Sequence, residues 1–398
     1  MSVPLSWLID INVIEEPAPL QPQATSGTLF IGIFPVVTGW TTNTQAFTSY
    51  AAVSAFFTPL IVGTTTTPQN ENYKAILGSA QTFFSQTLYG TPTSCIIGRL
   101  DPTETAPGYA TALAAMDSEN SNYYAVNVCT PFTSATVSEA QAWIAAVATL
   151  PAPKQLVITS NDVAIPSVAT TDLCSLLSVS GASKRANVHY SSKSFPPDTF
   201  TGGSFIPENI GAAICGTFYQ FPLLTVGQFP GVANIAGQQL VGVSKDVTIT
   251  GASIDYATQK GANIYFSLGS SDTTGVGCYE FVTDTRTTQE SYYYFDNTWA
   301  EDYMQGDLQV SLADFILENG PSYDDIGFVA LQAVVVGRLE EYQRQGVIEP
   351  ITLASVGYVP LSQVPLADRN ARIYRGLSAT VVTRQRIQRI TMQLLVQI

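Results

Sequence analysis

The first residues alternate. Trp7, Ile9, Ile11 and Val13 fall on one side of an extended chain, and Leu8, Asp10, Asn12 and Ile14 on the other. One side is wholly apolar and one is mixed, which is the period-two signature of a strand. Pro17, Pro19 and Pro22 follow. They predict a stiff, extended spacer that joins neither a helix nor a central strand. A core-like strand then starts at Leu29-Phe30-Ile31-Gly32-Ile33-Phe34. The last residues repeat the opening pattern: Ile390, Met392, Leu394, Val396 and Ile398 alternate with Thr391, Gln393, Leu395 and Gln397. Residues 377–382 already read as strand, so the chain is predicted to close in strand. So apolar a strand is an aggregation hazard unless paired, either in its own sheet or in a neighbour's. At about 3.3 Å per residue, the stretch after residue 375 reaches roughly 70 Å when extended.

Between these ends the periodicity changes twice. Up to about Pro222, strands (94–100, 123–129, 155–160, 186–190) alternate with helical stretches (49–57, 72–88, 108–115, 137–148, 210–219). Asn72 is the expected N-cap of the second helix, and Glu139 places an acid at the start of the fourth. Strand–helix alternation argues an α/β layer with a largely parallel sheet. Residues 223–250, rich in Gly, Val and Gln, read as a strand-containing connection. An α+β region follows, with a helix at 252–260, strands at 263–268 and 278–283 and a Gly/Ser/Thr-rich turn at 269–277. Two long helices come next. Leu308, Leu312, Phe315 and Ile316 form one apolar stripe that stops at Asn319-Gly320-Pro321. Ser322 with Asp325 three residues on resembles a capping box for the second helix. Phe328, Val329, Leu331, Val334, Val335 and Val336 make its first half apolar nearly all round and predict its burial; Arg338-Leu339-Glu340-Glu341-Tyr342-Gln343-Arg344 make its second half charged. The fold class expected is thus α/β plus α+β. Its divisions are an N-terminal arm (1–27), an α/β domain (28–222), an α+β domain (223–375) and a C-terminal strand arm (376–398).

Composition sharpens this layout. Of 398 residues, 45% are apolar but only 12% charged, against roughly 25% charged in an average soluble domain. Surface rich in Ser, Thr, Asn and Gln is easily desolvated, which suits a protein packed against copies of itself; a Thr/Ser-rich soluble protein is the plainer alternative. The net charge of −14 argues against a nucleic-acid partner. Its distribution is uneven. No Lys or Arg precedes Lys74, while Asp10, Glu15 and Glu16 lie near the start. Arg369, Arg372, Arg375, Arg384, Arg386 and Arg389 lie near the end, with no acid after Asp368. The five cysteines (Cys95, Cys129, Cys174, Cys215, Cys278) include no CxxC pair and predict free, mostly buried thiols in a reducing compartment. No run of about 18 apolar residues predicts a membrane span, and the N-terminus lacks the basic region of a signal peptide.

Catalytic parts are scarce. The only histidine, His189, sits on an expected strand, where a structural role is commoner than a general base. No P-loop, GxGxxG after a strand, HExxH or EF-hand pattern occurs. The 269–277 turn has glycines and Thr273-Thr274 but no Lys and no following helix. The pairs Glu15-Glu16, Asp324-Asp325 and Glu340-Glu341 are sequence neighbours, which do not face one another on a helix. Tyr292-Tyr293-Tyr294-Phe295 with Trp299 suits stacking on a ligand less well than core or subunit packing. A carboxylate pair separated in sequence stays open, as does an α/β enzyme with a docked C-terminal strand. The composition nevertheless favours a self-assembling structural protein that takes no cofactor or metal.

Several stretches line up in order with a known family. Ala257-Thr258-Gln259-Lys260-Gly261-Ala262-Asn263-Ile264-Tyr265 reads as helix, Gly, Asn, strand; Asp296-Asn297-Thr298-Trp299 leads into a helix with a Gly turn and a second helix; a strand-rich tail closes the chain. In this the sequence resembles the contractile tail sheath proteins of myophages and their relatives in R-type pyocins and type VI secretion sheaths. The resemblance covers most of the chain in layout and is sharpest over 245–398. It implies that 28–222 is an outer, protruding domain and 223–375 the sheath core. It also implies hexameric rings stacked helically around a tail tube protein, with baseplate and tail terminator proteins as further partners and no direct membrane insertion. Arms would add strands to neighbouring subunits. The N-arm contacts would be Trp7, Ile9, Ile11 and Val13. The C-arm contacts would be Arg384, Arg386, Arg389, Ile390, Met392, Leu394, Val396 and Ile398. Arg338, Glu340, Glu341 and Arg344 would be candidates to face the tube, a salt bridge between sheath subunits being the other role open to them. The implied place is the tail sheath of a virion assembled in the host cytoplasm. The implied work is contraction that drives the tube through the host envelope for genome ejection. Another self-assembling virion or surface-array protein remains the alternative.

Overall fold

The computed structural model describes residues 26–62, 67–88, 90–192, 207–219, 239–246, 249–268, 279–282, 288, 294–351 and 355–383. The expected arm contacts at Trp7, Ile9, Ile11 and Val13, and at Arg384, Arg386, Arg389, Ile390, Met392, Leu394, Val396 and Ile398, lie outside them, as does the 269–277 turn.

One mixed sheet organises the chain. Its strands are β1 (Thr28–Ile33), β2 (Thr44–Phe47), β3 (Cys95–Leu100), β4 (Ala125–Val128), β5 (Gln155–Ser160), β6 (Ala186–Tyr190), β7 (Ala262–Leu268) and β8 (Tyr279–Val282). Their spatial order is β2-β3-β1-β4-β5-β6-β7-β8. The run from β3 to β7 is parallel and both edge strands are antiparallel. Burial on both faces explains the continuous apolar runs: every residue of β4 and β5 is buried, and Leu29, Phe30 and Ile31 of β1 are essentially inaccessible.

The chain reverses direction at β1, and this sorts the helices. α1 (Tyr50–Phe57), α2 (Pro68–Phe84) and α6 (Ile210–Ile214) share one core with Phe30, Phe34 and Tyr124. α3 (Tyr109–Glu119), α4 (Val137–Ala148), α5 (Leu173–Val179) and α7 (Gly251–Gln259) pack on the other face around Leu29, Ile31, Val126 and Leu156. Two long helices, α8 (Phe295–Asn319) and α9 (Asp325–Arg344), join the first core through Phe295, Trp299, Val335, Leu339 and Tyr342. A short helix, α10 (Leu366–Ala371), and a two-stranded ladder of β9 (Val356–Gly357) with β10 (Ser378–Ala379) complete the described part.

The sheet crosses the division drawn at 222/223. β7 pairs with β6 in register Val188↔Ala262, His189↔Asn263 and Tyr190↔Ile264, so strands from both sides share one hydrogen-bonded layer. Lys260 reinforces this join. Its ammonium donates to the carbonyls of Ala164, Ile165 and Ser167 at 3.2, 3.1 and 2.7 Å and lies 2.8 Å from Asp172.

Three local expectations need correction. The second helix starts at Pro68, not near Asn72; Thr67 caps it by accepting from Asn70 N, and Pro68 fills the first helical position, where no N–H is needed. α9 is capped by Asp324, which accepts from Gly327 N at 2.9 Å, while Ser322 donates its hydroxyl to Asp324 at 2.7 Å. The first half of α9 is also not buried all round: Phe328 and Val335 are, but Ile326 is 79% and Val329 45% exposed. Elsewhere the reading holds closely. α4 occupies 137–148 as expected, and α8 ends where Gly320 takes the left-handed conformation (φ 51°). The 210–219 stretch is helical only to Ile214 and continues as a wider π-type turn, Cys215–Tyr219.

Candidate assembly surface and its buried frame

The α8–α9 hairpin is held to the sheet by buried charge. Arg185, just before β6, donates to both carboxylate oxygens of Asp302 on α8, at 2.7 and 3.0 Å. Tyr124, just before β4, donates to the same carboxylate at 2.6 Å. Burial pushes the Tyr124 phenol well up, and the Asp302 charge adds to this, so the tyrosine stays a donor. Next to this seam, Lys184 lies 3.4 Å from Glu301. Such a cluster survives burial because each charge meets a geometrically matched partner.

A second tie joins the two helices. Asp307 of α8 accepts from Arg338 Nε at 2.8 Å and from the Tyr342 hydroxyl, and the Arg338 guanidinium lies over the Tyr342 ring, 5.7 Å from its centroid. Arg338 is therefore engaged within the subunit. Glu341 bonds Arg344 and Gln345 on its own helix, and the Arg344 bond draws its carboxyl below the usual range. Glu340 and Arg344 are exposed. Of the four side chains considered for a tube-facing role, these two present charge outward most openly.

The C-terminal stretch is organised differently. Residues 359–376 are tied back to the start of α9. Leu361 N donates to Asp325 Oδ1 at 2.6 Å, the Tyr323 hydroxyl donates to Ile373 O at 2.7 Å, and Tyr374 stacks on Phe328 with ring centroids 3.8 Å apart. The chain then runs antiparallel to 348–351 and 355–359: Val359 N bonds Gly376 O, Thr380 N bonds Ser355 O and Glu349 N bonds Val382 O, at 2.8–2.9 Å. Between 365 and 383 no residue is buried. Leu366, Ile373 and Val382 are 66%, 42% and 66% exposed, and Arg369, Arg372 and Arg375 all face solvent.

Of the groups considered for chemistry, His189, four of the cysteines, Phe295 and Trp299 are buried. His189 is fully buried, with Nε2 2.8 Å from Asn187 Oδ1 and its ring against Phe295; burial lowers its pKa to about 3. Cys95, Cys129, Cys174 and Cys215 are free and buried, with pKa values raised by that burial. Phe295 and Trp299 lie in the core. Among the described residues no group of three or more His, Cys, Asp or Glu could hold a metal, and no helix is long and apolar enough to cross a membrane. The Arg185–Asp302–Tyr124 seam had no local sequence signal. Its members are separated by 117 and 178 residues, and only the charge scarcity of the chain hints that each ion is placed for a reason.

Neither a family model nor a curated protein matches the sequence. Solved structures do. A chain of the cryo-EM structure of the anti-feeding prophage (AFP) baseplate, 6-fold symmetrised, aligns over 98% of this chain and 98% of its own, with TM-score 0.64 and 15% identity. The AFP helical sheath in the contracted state aligns over 97% of this chain and 99% of its own, at 0.62 and 16%. The chain has the contractile-sheath fold. The sheath complex of an extracellular contractile injection system, PVC, also in the contracted state, matches at 0.58 and 13% over 99% of this chain and 98% of its own.

Proposed function

We propose that this chain is the subunit of a contractile sheath that polymerises into a helical sleeve. The likeness to sheath chains over nearly the whole length, in both directions, carries this reading. A structural subunit, not an enzyme, is also what the buried histidine and thiols and the scarce surface charge suggest. The sleeve would surround a tail tube, start at a baseplate and end at a terminator protein. Contraction would drive the tube through a host envelope. The particle would be a phage tail or a related injection device, and genome ejection belongs to the first of these.

Strand exchange is the linkage we favour. The β9–β10 ladder holds two strands among the described residues, and two-stranded sheets are marginal in isolation. Added strands from neighbours would complete it by β-augmentation, with backbone bonds giving affinity and side-chain alternation giving register. The terminal strands at 7–14 and 387–398 would be the donors, and whole subunits would rotate as rigid bodies while these arms act as hinges and tethers. Negative-stain electron microscopy of the purified full chain tests both levels. Long tubes are expected, and deletion of residues 385–398 should leave rings or monomers. Flat sheets or closed shells would overturn the sheath in favour of another array protein; unaltered tubes from the deletion would overturn strand exchange alone.

A further inference from the structure

The two faces of the central strands are unlike. One presents Val126, Leu156, Ile158, Val188 and Ile264, all apolar. The other, turned toward α6 and α8, carries Asn127, Gln155, Thr159, Asn187, His189 and Asn263 on β4 to β7. All six are inaccessible to solvent. Burial of so many polar side chains is costly unless each finds its hydrogen bonds.

Half of this layer is matched. Asn127 donates through Nδ2 to Val157 O at 2.7 Å, and Asn263 donates likewise to Val188 O at 3.0 Å. Thr159 donates to Asn209 Oδ1 at 2.5 Å, and Asn209 donates to Ser79 Oγ at 2.7 Å. This end is also full. A Cβ on Gly211 would stand 2.4 Å from Thr159 Oγ1 and 2.6 Å from Asn127 Nδ2.

The other half is not matched. Both amide atoms of Gln155, Nδ2 of Asn187 and Nδ1 of His189 are buried and find no partner among the described residues. The three side chains are neighbours. Val157 pairs with Asn187 and Leu156 with Ala186, which sets Gln155 diagonally beside Asn187 on the same face. His189 follows two residues on, with Phe295 of α8 against its ring. Asn187 Oδ1 lies 2.8 Å from His189 Nε2, and an amide oxygen only accepts, so Nε2 carries the proton and Nδ1 is an acceptor. The unmatched atoms are then two donors, Gln155 Nε2 and Asn187 Nδ2, and two acceptors, Gln155 Oε1 and His189 Nδ1.

We propose that this end of the layer is an internal water site, with ordered water held by Gln155, Asn187 and His189 between the sheet and α8. The makeup of the site selects the ligand. Its unmatched groups are uncharged and their donors and acceptors balance, which suits neither an anion nor a cation. Water supplies both kinds of bond, and an internal water takes about three of them. The site continues the Arg185–Asp302 seam, because the bond from Leu156 N to Arg185 O brings Arg185 beside Gln155. It belongs to the single subunit and does not depend on assembly. A held water gives the imidazole one bond without bulk solvation, so the ring stays neutral.

The chain has one histidine, so the site can be read directly. In the full chain labelled with nitrogen-15 at histidine alone, solid-state spectra of subunits or tubes should show Nε2 protonated. The Nδ1 resonance should lie upfield of the position of an unbonded ring nitrogen, with magnetisation transfer from a long-lived water. His189→Gln should remove both signals, which assigns them. An Nδ1 resonance at the unbonded position, with no transfer from water, overturns the proposal without the need for any variant. Gln155→Met gives a second readout, since it keeps the length of the side chain and removes two polar atoms. With water in place the urea midpoint should fall, because the water loses bonds. In a dry site the loss of two orphaned groups would raise it. A midpoint that rises or stays put overturns the water site.

Discussion

The seam under α8 and the segment 361–376 use the same residue types to opposite ends. At the seam, Arg185 meets both oxygens of Asp302, Tyr124 donates to the same carboxylate, and the ion pair is all but closed to water. On the segment, Arg372 and Arg369 point outward beside exposed Leu366 and Ile373, and Tyr374 stacks on Phe328 only to hold the segment down. A chain with 12% charged residues has few ions to place. Those of the seam are matched and buried within the subunit; near the C-terminal end Arg375 meets Asp368 and Arg369 meets the Val364 carbonyl in the open, and Arg372 is exposed.

The largest way to break this contrast is at Asp302. Asp302→Ala takes away the bidentate acceptor of Arg185 and the acceptor of the buried Tyr124 hydroxyl together. Removal of one partner from a buried pair of this kind costs about 3–5 kcal/mol, to be read as a lowered urea midpoint for the subunit. Replacement of the whole cluster, Arg185→Met with Asp302→Leu and Tyr124→Phe, should recover much of the loss, because no buried charge or hydroxyl is then left unmatched. A single substitution that costs under about 1 kcal/mol would show that the seam behaves as a surface pair, and the contrast would fall.

His189 sharpens the same point with a charge the interior cannot match. Its ring bonds Asn187 through Nε2, no charged group is among its recorded partners, and burial holds its pKa at about 3. Below the ordinary histidine value near pH 6.5 the unfolded chain binds a proton that the folded one refuses. Stability should therefore be constant above that pH for this group and fall as pH drops toward 3, by up to about 1.4 kcal/mol per unit. Urea midpoints at pH 6.5 and 5, compared between the native chain and His189→Gln, isolate the term. The native chain should lose more than the variant; equal losses would mean that water or a partner reaches the ring.

Much of this frame was legible beforehand because it is local. The helix at 137–148 and the strands at 155–160 and 186–190 follow from short-range periodicity, and Gly320 ends α8 because only a left-handed residue fits there. The reading failed where distant parts compete. Asp324 displaced Ser322 as the cap because a carboxylate accepts better at a helix start, and Ser322 serves it instead. The apolar first half of α9 looked buried because periodicity cannot tell a core from a contact face; Ile326 and Val329 remain outside. The continuity of the sheet from β6 to β7 was hidden for a related reason, since the residues between them give a composition break while the pairing is tertiary. The seam of Arg185, Asp302 and Tyr124 left no mark in any window. The expected arm contacts lie beyond the described residues, so their placement rests on chemistry and length.

The smallest expected effect tests the margin itself. Arg372 ends α10 with φ 55° and ψ 37°, a conformation in which a side chain crowds its own backbone. Arg372→Gly removes that crowding, at the cost of a more flexible unfolded chain, and should leave the subunit unchanged or more stable by up to about 1 kcal/mol. The charge, however, is lost from the exposed 361–376 surface. The expected pattern is thus a thermal midpoint that holds or rises slightly, together with a lower yield of assembled material at low salt. The two readouts move in opposite directions only if Arg372 is kept for a contact outside its own subunit. A fall in the midpoint would instead mean that the guanidinium anchors the α10 turn, placing Arg372 with the seam residues, and the division between matched interior and open margin would have to be redrawn.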